Sequence, residues 1–189
     1  MPRKFPIKKA LELIDPSRND ALDPQSIIAL VPVRPYEIIA DIGAGPGALT
    51  IPFAKYVFDG KVIAVDVQQG MLDITNQRAN SVRLGNLELI LSKESKIPLD
   101  DEVVDGVILA CVLNEATRPK SLLKESLRIL RKGGWAAVIE WQKRETEDGP
   151  VLRQRISSDE ISSMAKLLGA RQESLRSVRS NRYLSLIRK

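Results

Sequence analysis

Asp41, Gly43, Gly45 and Gly47 stand at alternate positions behind the apolar run Ile38-Ile39-Ala40, and that spacing is the first chemistry in the chain. An apolar run bounded by turn residues marks a buried strand, and glycines at its end let the backbone bend sharply and come close to a ligand. Residues 49–57 follow with apolar side chains at helical spacing. The turn then aims the unpaired N–H groups of a helix start at whatever sits on the glycines. A second acid, Asp66, lies near the end of the apolar run 61–67, 19 residues after Gly47. In an open parallel sheet the ligand lies beyond the carboxyl ends of the strands, where an acid can accept hydrogen bonds from both hydroxyls of a ribose. Glu115 and Glu140 close two later apolar runs. They are the acids near such a pocket that could act as a base or orient a second reactant, although strand-end and helix-cap acids look the same in sequence.

Composition narrows the chemistry. The chain has no histidine and one cysteine, Cys111, so the commonest base and metal ligand are missing, as are an internal disulfide and a cysteine-held cluster. No metal is expected. A length of 189 residues, with 43% hydrophobic and 28% charged, suits one domain with a full core. The expected division is an N-terminal helical cap over 1–35, a ligand-binding core over 36–141, and a helix with a hairpin over 142–189. No apolar stretch approaches the roughly 20 residues that span a bilayer, and no apolar run follows the charged start, so a cytoplasmic protein without a membrane partner is expected. The net charge of +5 collects at the end of the chain, where Arg171, Arg176, Arg179, Arg182, Arg188 and Lys189 face one acid, Glu173. Such a strip attracts RNA phosphates, but only Tyr183 is there to stack on a base, so a solvated basic face is the favoured reading.

The elements that must position these residues follow from period and punctuation. Residues 7–14 have helical spacing and end at Asp15-Pro16, and Asp23-Pro24 reads as a cap and first turn of a helix that Pro32 and Pro35 close. These two short helices could pack on the sheet edge or cover the ligand. Pro52 falls inside the helix after the glycine turn, where it costs less near the first turn because N–H groups there have no partner, and the helix is expected to survive with a bend. A helix over 71–82, a strand over 87–91, a strand over 105–109 and an amphipathic helix over 121–130 come next. Lys132-Gly133-Gly134 reads as the turn ending that helix, before a strand over 135–141. Ser158 is read as the cap of a helix that Gly169 ends, and 172–178 with 182–187 form an antiparallel hairpin. Strands alternating with helices up to Trp141 predict an α/β fold with a parallel sheet and helices on both faces.

The run Asp41, Gly43, Gly45, Gly47 resembles motif I of the class I S-adenosylmethionine-dependent methyltransferases, an acid followed by three alternate glycines. The same letters, with Ala48, also satisfy a loose dinucleotide-binding fingerprint, so this motif alone does not separate the two. Residues 105–115 resemble the family's motif IV, and Leu130 to Glu140 its Gly-Gly passage into a strand. The resemblance implies a Rossmann-like seven-stranded sheet whose last hairpin strand is antiparallel. A nicotinamide enzyme would need a second domain for which 189 residues leave no room. The form of the chain is most similar to the small-molecule methyltransferases of the ubiquinone and menaquinone biosynthesis group.

That resemblance implies S-adenosyl-L-methionine as cofactor. Asp41 would order its amino end, Gly43, Ala44, Gly45 and Gly47 would shape the cradle, Asp66 and Val67 would hold the ribose end, and Met71 would pack on the adenine. Ala110, in the passage resembling motif IV, would be among the cofactor-binding residues. The family's adenine acid falls on Lys93 here, so Glu94, with Ser95, is the substitute. Many relatives carry histidines where Asn114 and Glu115 stand. Glu115 and Glu140 remain the candidate bases, and the acceptor is expected to be a small molecule taken by a monomer or homodimer. A cofactor-binding protein without turnover and an RNA methyltransferase using the basic tail are the alternatives.

Overall fold

The computed structural model describes residues 5–15, 22–179 and 181–189. Its centre is a seven-stranded sheet in the order β3-β2-β1-β4-β5-β7-β6. The strands are β1 (Ile38–Ile42), β2 (Lys61–Asp66), β3 (Leu87–Leu91), β4 (Val104–Ala110), β5 (Leu130–Trp141), β6 (Arg171–Val178) and β7 (Arg182–Arg188). β1 to β5 are mutually parallel, while β7 runs antiparallel to β5 and to β6. The expected α/β sheet with a terminal antiparallel hairpin is therefore present. The chain reverses its order at β1, which pairs with β2 on one side and β4 on the other, so a crevice opens beyond the carboxyl ends of these strands.

Near-continuous apolar runs make both faces of the sheet hydrophobic, and helices cover both. One face packs Ala40, Ile42, Val107, Leu109 and Val138 against Leu123 and Leu127 of α4 (Pro119–Ile129) and Ile161 and Ala165 of α5 (Ser158–Leu167). The other packs Ile39, Ile108 and Trp135 against Ile27 of α1 (Pro24–Leu30) and Phe53 of α2 (Thr50–Tyr56). A further helix, α3 (Gln69–Ser81), lies beside β2 and β3, with Leu72 packed on Ala44 and Ala64. No helix among the described residues is long and apolar enough to cross a membrane.

Several local expectations need correction. Ile7–Ile14 is a 3-10 helix without a side-chain cap, its chain turning by i to i+3 bonds such as that from Lys9 N to the Pro6 carbonyl. Pro52, as expected, costs little where it stands, since it sits in the first turn of α2 and its missing N–H has no intrahelical partner to lose. The helix over 158–167 is capped by Ser157, whose hydroxyl accepts from Glu160 N while the Glu160 carboxylate accepts from Ser157 N. Lys132-Gly133-Gly134 does not end α4, because β5 already begins at Leu130, opposite Val104. The glycines belong to a bulge whose pairing resumes at Gly106 and Trp135, with Gly133 at φ +76°.

Candidate active site

The crevice is walled by the ends of β1, β2 and β4. After β1 the chain turns so tightly that Gly43 N and Ala44 N both donate to the Val65 carbonyl, at 2.8 and 3.1 Å. All three motif glycines have positive φ, +73° at Gly43, +55° at Gly45 and +79° at Gly47, but their surroundings differ. A Cβ on Gly43 would lie 2.5 Å from Val112 Cγ2. On Gly45 the nearest atoms would be Leu13 Cδ1 at 3.9 Å and the Gly43 carbonyl at 4.0 Å, so this glycine faces open pocket. Gly47 faces away from the pocket, its position for a Cβ lying 3.0 Å from Thr75 of α3. That helix also grips the turn from outside, through Thr75 Oγ1 donating to the Gly45 carbonyl at 2.8 Å and Arg78 donating to the Pro46 carbonyl.

Asp66 closes the turn from the β2 side. Its Oδ2 accepts from Gly45 N at 2.8 Å and its Oδ1 from Gln68 N at 2.9 Å. A carboxylate can accept about four hydrogen bonds, so these two fix its orientation at the pocket wall. Asp41 is buried and accepts from the Thr50 hydroxyl at 2.6 Å. Burial pushes its carboxyl up to about 6, the Thr50 bond opposing and the Asp66 charge adding.

Of the residues expected at the site, Asp41, Gly43, Ala44, Gly45 and Asp66 line the pocket. Val67, Met71, Glu94, Ala110 and Glu115 line it as well. Gly47, Ser95 and Glu140 do not. Gly47 is turned to α3, as described. Ser95 sits in a tight turn closed by reciprocal backbone bonds of Lys93 and Lys96, at 3.3 and 3.1 Å. Glu94 reaches the wall, but its carboxylate ties this loop to the start of α4, accepting from Thr117 Oγ1 at 3.0 Å and Arg118 N at 3.1 Å.

Glu140 lies fully buried behind the wall. Its Oε1 accepts from Leu113 N at 2.9 Å and Asn114 N at 3.2 Å, and its Oε2 from Asn114 Nδ2 at 2.7 Å. Burial pushes it up to about 7 against these bonds. Glu140 thus shapes the segment after β4, in which Cys111 takes a φ of +55°. On that same segment Glu115 faces the pocket. Burial raises its carboxyl to about 7, with the Phe5 N–H lowering it and the Asp66 charge raising it further.

Pocket residues the sequence did not single out come from distant parts of the chain. Phe5, Leu13 and Leu22 bring the N-terminal elements to the pocket lining, where Gln68 Nε2 also donates to the Phe5 carbonyl at 3.2 Å. Arg182 and Cys111 complete the far wall. The basic tail is accordingly not one exposed strip. Arg182 is buried, Arg188 pairs with Glu173 at 2.7 Å, and Lys189 pairs with Glu102 at 3.3 Å. Only the amphipathic pattern of 7–14 could have pointed to Leu13, and nothing local marks Arg182.

The empty space of the pocket, its mouth included, is about 1270 Å³. The residues fit a nucleoside cofactor: Gly45 leaves a backbone face open, and Asp66 stands at the wall beside it.

Residues 40–138 match the family described as methyltransferase domain, just over half of the chain. The ubiquinone/menaquinone biosynthesis C-methyltransferase UbiE of Marinomonas sp. (strain MWYL1) is 29% identical over 146 residues, 76% of this chain and 58% of that protein. Its counterpart in Ectopseudomonas mendocina is 33% identical over 118 residues, 61% of this chain and 46% of that protein. The chain thus spans about half the length of these curated relatives. Among solved structures, a SAM-dependent methyltransferase from Aquifex aeolicus superposes with a TM-score of 0.90 at 30% identity, covering 97% of this chain and 98% of that one.

Proposed function

The chain belongs to the class I S-adenosylmethionine-dependent methyltransferases, and from that premise we propose that it moves a methyl group to a small-molecule acceptor, with Glu115 taking the acceptor's proton. The observation that carries this reading is the placement of Glu115, an acid with its pKa raised to about 7, in the same pocket wall as Gly45 and Asp66. A base works best when its pKa lies near the operating pH, and Glu115 meets that condition without a histidine.

S-adenosylmethionine supplies a methyl group on a positively charged sulfur, so the transfer itself needs little chemistry from the protein. Gly43, Ala44 and Gly45 would give the cofactor a backbone surface, Asp66 would accept from its ribose, and Met71 would pack beside its base. Asp41 lies deeper and fixes the turn through Thr50. Phe5, Leu13 and Leu22 of the pocket lining keep water from the reacting atoms. Holding two reactants in line can be worth roughly 7–11 kcal/mol, which makes this alignment the larger share of the catalysis. Glu115 accepts the proton that an acceptor oxygen, nitrogen or carbon gives up as it takes the methyl group. Glu140 acts at one remove, by holding the segment that carries Glu115. The ion pairs of Arg188 and Lys189 and the burial of Arg182 speak for a small acceptor rather than RNA.

Calorimetric titration with S-adenosylhomocysteine tests the site. Binding on the order of 8 kcal/mol, the micromolar range, is expected for the wild-type chain, with a clear loss in Asp66→Ala. Turnover of an acceptor should fall in Glu115→Gln, with loss of the rise in rate near pH 7, while cofactor affinity stays within about twofold. No affinity for S-adenosylhomocysteine would refute the reading, and binding with no turnover of any acceptor would favour a cofactor-binding protein.

A further inference from the structure

Gln68 occupies the N-cap position of α3, the place where a short acceptor side chain usually satisfies the first free N–H groups of a helix. Its side chain makes no such bond. Its Nε2 instead donates to the Phe5 carbonyl at 3.2 Å, joining residues 63 positions apart, while its backbone N–H donates to Asp66 Oδ1 at 2.9 Å. Beside it, Gly70 leaves the room that Ile7 fills, since a Cβ there would lie 3.1 Å from Ile7 Cδ1. Residues 5–7 are thus seated on the start of α3 by a polar and an apolar contact.

The amide of the same Phe5 serves the candidate base. Its N–H bonds to the Glu115 carboxylate, so a line of hydrogen bonds runs from Asp66 through Gln68 and Phe5 to Glu115. Phe5, Gln68 and Glu115 all line the pocket. An N–H bonded to a carboxylate favours its ionised form, here against the burial and the Asp66 charge that raise Glu115 to about 7. The bond takes one of about four acceptor positions on the carboxylate and restrains its orientation, leaving the others for a substrate proton. A base has to be both ionised and within reach of the proton it removes.

We propose that Gln68 is a positioning residue for the transfer: by holding the Phe5 carbonyl it keeps the Phe5 N–H on the Glu115 carboxylate, and so keeps the base aimed at the acceptor. This rests on the methyltransferase reading above, with Glu115 as its base. Without the Gln68 amide the Phe5 peptide is released, burial acts on Glu115 with less opposition, and less of it is ionised at neutral pH. The other charged or titratable groups of the pocket are Asp41, Asp66, Glu94, Cys111 and Arg182, with Glu140 behind its wall. Exchanging Gln68 for the uncharged Met leaves all of these charges as they are.

The test is a carbon-13 NMR titration of the glutamate carboxyl carbons, run on the chain without cofactor, in which the Glu115 signal is the one that disappears in Glu115→Gln. Gln68→Met keeps the length of the side chain without its donor. It should move the Glu115 midpoint up by about half to one pH unit, the scale of one net hydrogen bond at tenfold per pH unit. Gln69→Met should leave the midpoint unmoved, because Gln69 Nε2 donates to Asp73 of the same helix. In wild-type protein the Phe5 amide proton should shift with the same midpoint as the Glu115 carbon, which tests the bond even where a variant does not fold. A midpoint unmoved in Gln68→Met, one that moves equally in Gln69→Met, or a Phe5 amide proton blind to Glu115 would overturn the proposal. The titration needs no S-adenosylhomocysteine, so these outcomes stay separate from a failure to bind it, which counts against the methyltransferase reading instead.

Discussion

Replacing Glu140 separates a structural acid from a catalytic one. In the native protein its carboxylate accepts three hydrogen bonds, from Leu113 N, Asn114 N and Asn114 Nδ2. Glu140→Ala leaves those donors without their acceptor. Leu113 is fully buried, so its N–H is stranded, at about 1–3 kcal/mol. Asn114 is half-buried, and its donors can recover water. Removing a buried acid whose ionisation is already disfavoured returns part of the loss. A net cost of about 1–2 kcal/mol follows, or roughly 2–8 °C in Tm for a chain of this size. Glu140→Gln keeps one oxygen for the two backbone N–H groups, and turning the Asn114 amide over lets its own oxygen accept from the new NH₂. This variant should cost at most about 1 kcal/mol. Urea unfolding at pH 7.5, with slopes compared between variants, measures both. The cycle with Asn114→Ala should show a coupling of at least about 0.5 kcal/mol. An alanine variant no less stable than the glutamine variant would refute the assignment of Glu140 as the anchor of this segment.

The motif glycines should respond differently to alanine: Gly43→Ala forces a Cβ to 2.5 Å from Val112 Cγ2 and should cost roughly 2–5 kcal/mol, part of it recovered by Val112→Ala. Gly45→Ala meets open space, so it should cost only the strain of positive φ, about 1–2 kcal/mol, while weakening S-adenosylhomocysteine binding more than any stability loss explains. Stability without ligand should fall as pH rises from about 4 to 7, because Asp41, Glu115 and Glu140 have folded pKa values raised to about 6, 7 and 7, so the folded state holds more protons than the unfolded one in that window. Thermal melts at pH 5 and 8 check this, and Glu140→Gln should flatten the slope; a Tm that rises over the window would contradict the burial of these acids. Glu160, held down near 2 chiefly by Lys143, acts in the opposite sense only below about pH 4.

The features legible in the sequence were those encoded over short spans. The glycine turn, the acid at the end of β2, the alternation of strands with helices and the closing hairpin depend on neighbours within a few residues, and the sheet has that architecture. Boundaries fixed by distant partners were misplaced. The Lys132-Gly133-Gly134 turn became a bulge because β4 already pairs with Leu130. Roles at the site divided along the same line. Glu115 and Glu140 are equivalent as letters, but one faces the pocket and the other is consumed behind it, since strand alternation turns Glu140 toward Leu113 and Asn114. Gly43, Gly45 and Gly47 share a motif, yet Val112, the open pocket and Thr75 respectively occupy the space beside them. Arg182 read as one member of a basic tail. Only the antiparallel register of β7 against β5 carries it to the carboxyl edge beside Trp141 and Cys111. Local spacing determined the strand, turn and helix; which side chains meet in the pocket was decided by strand order and register, which bring residues as far apart as Asp41 and Arg182 to one pocket.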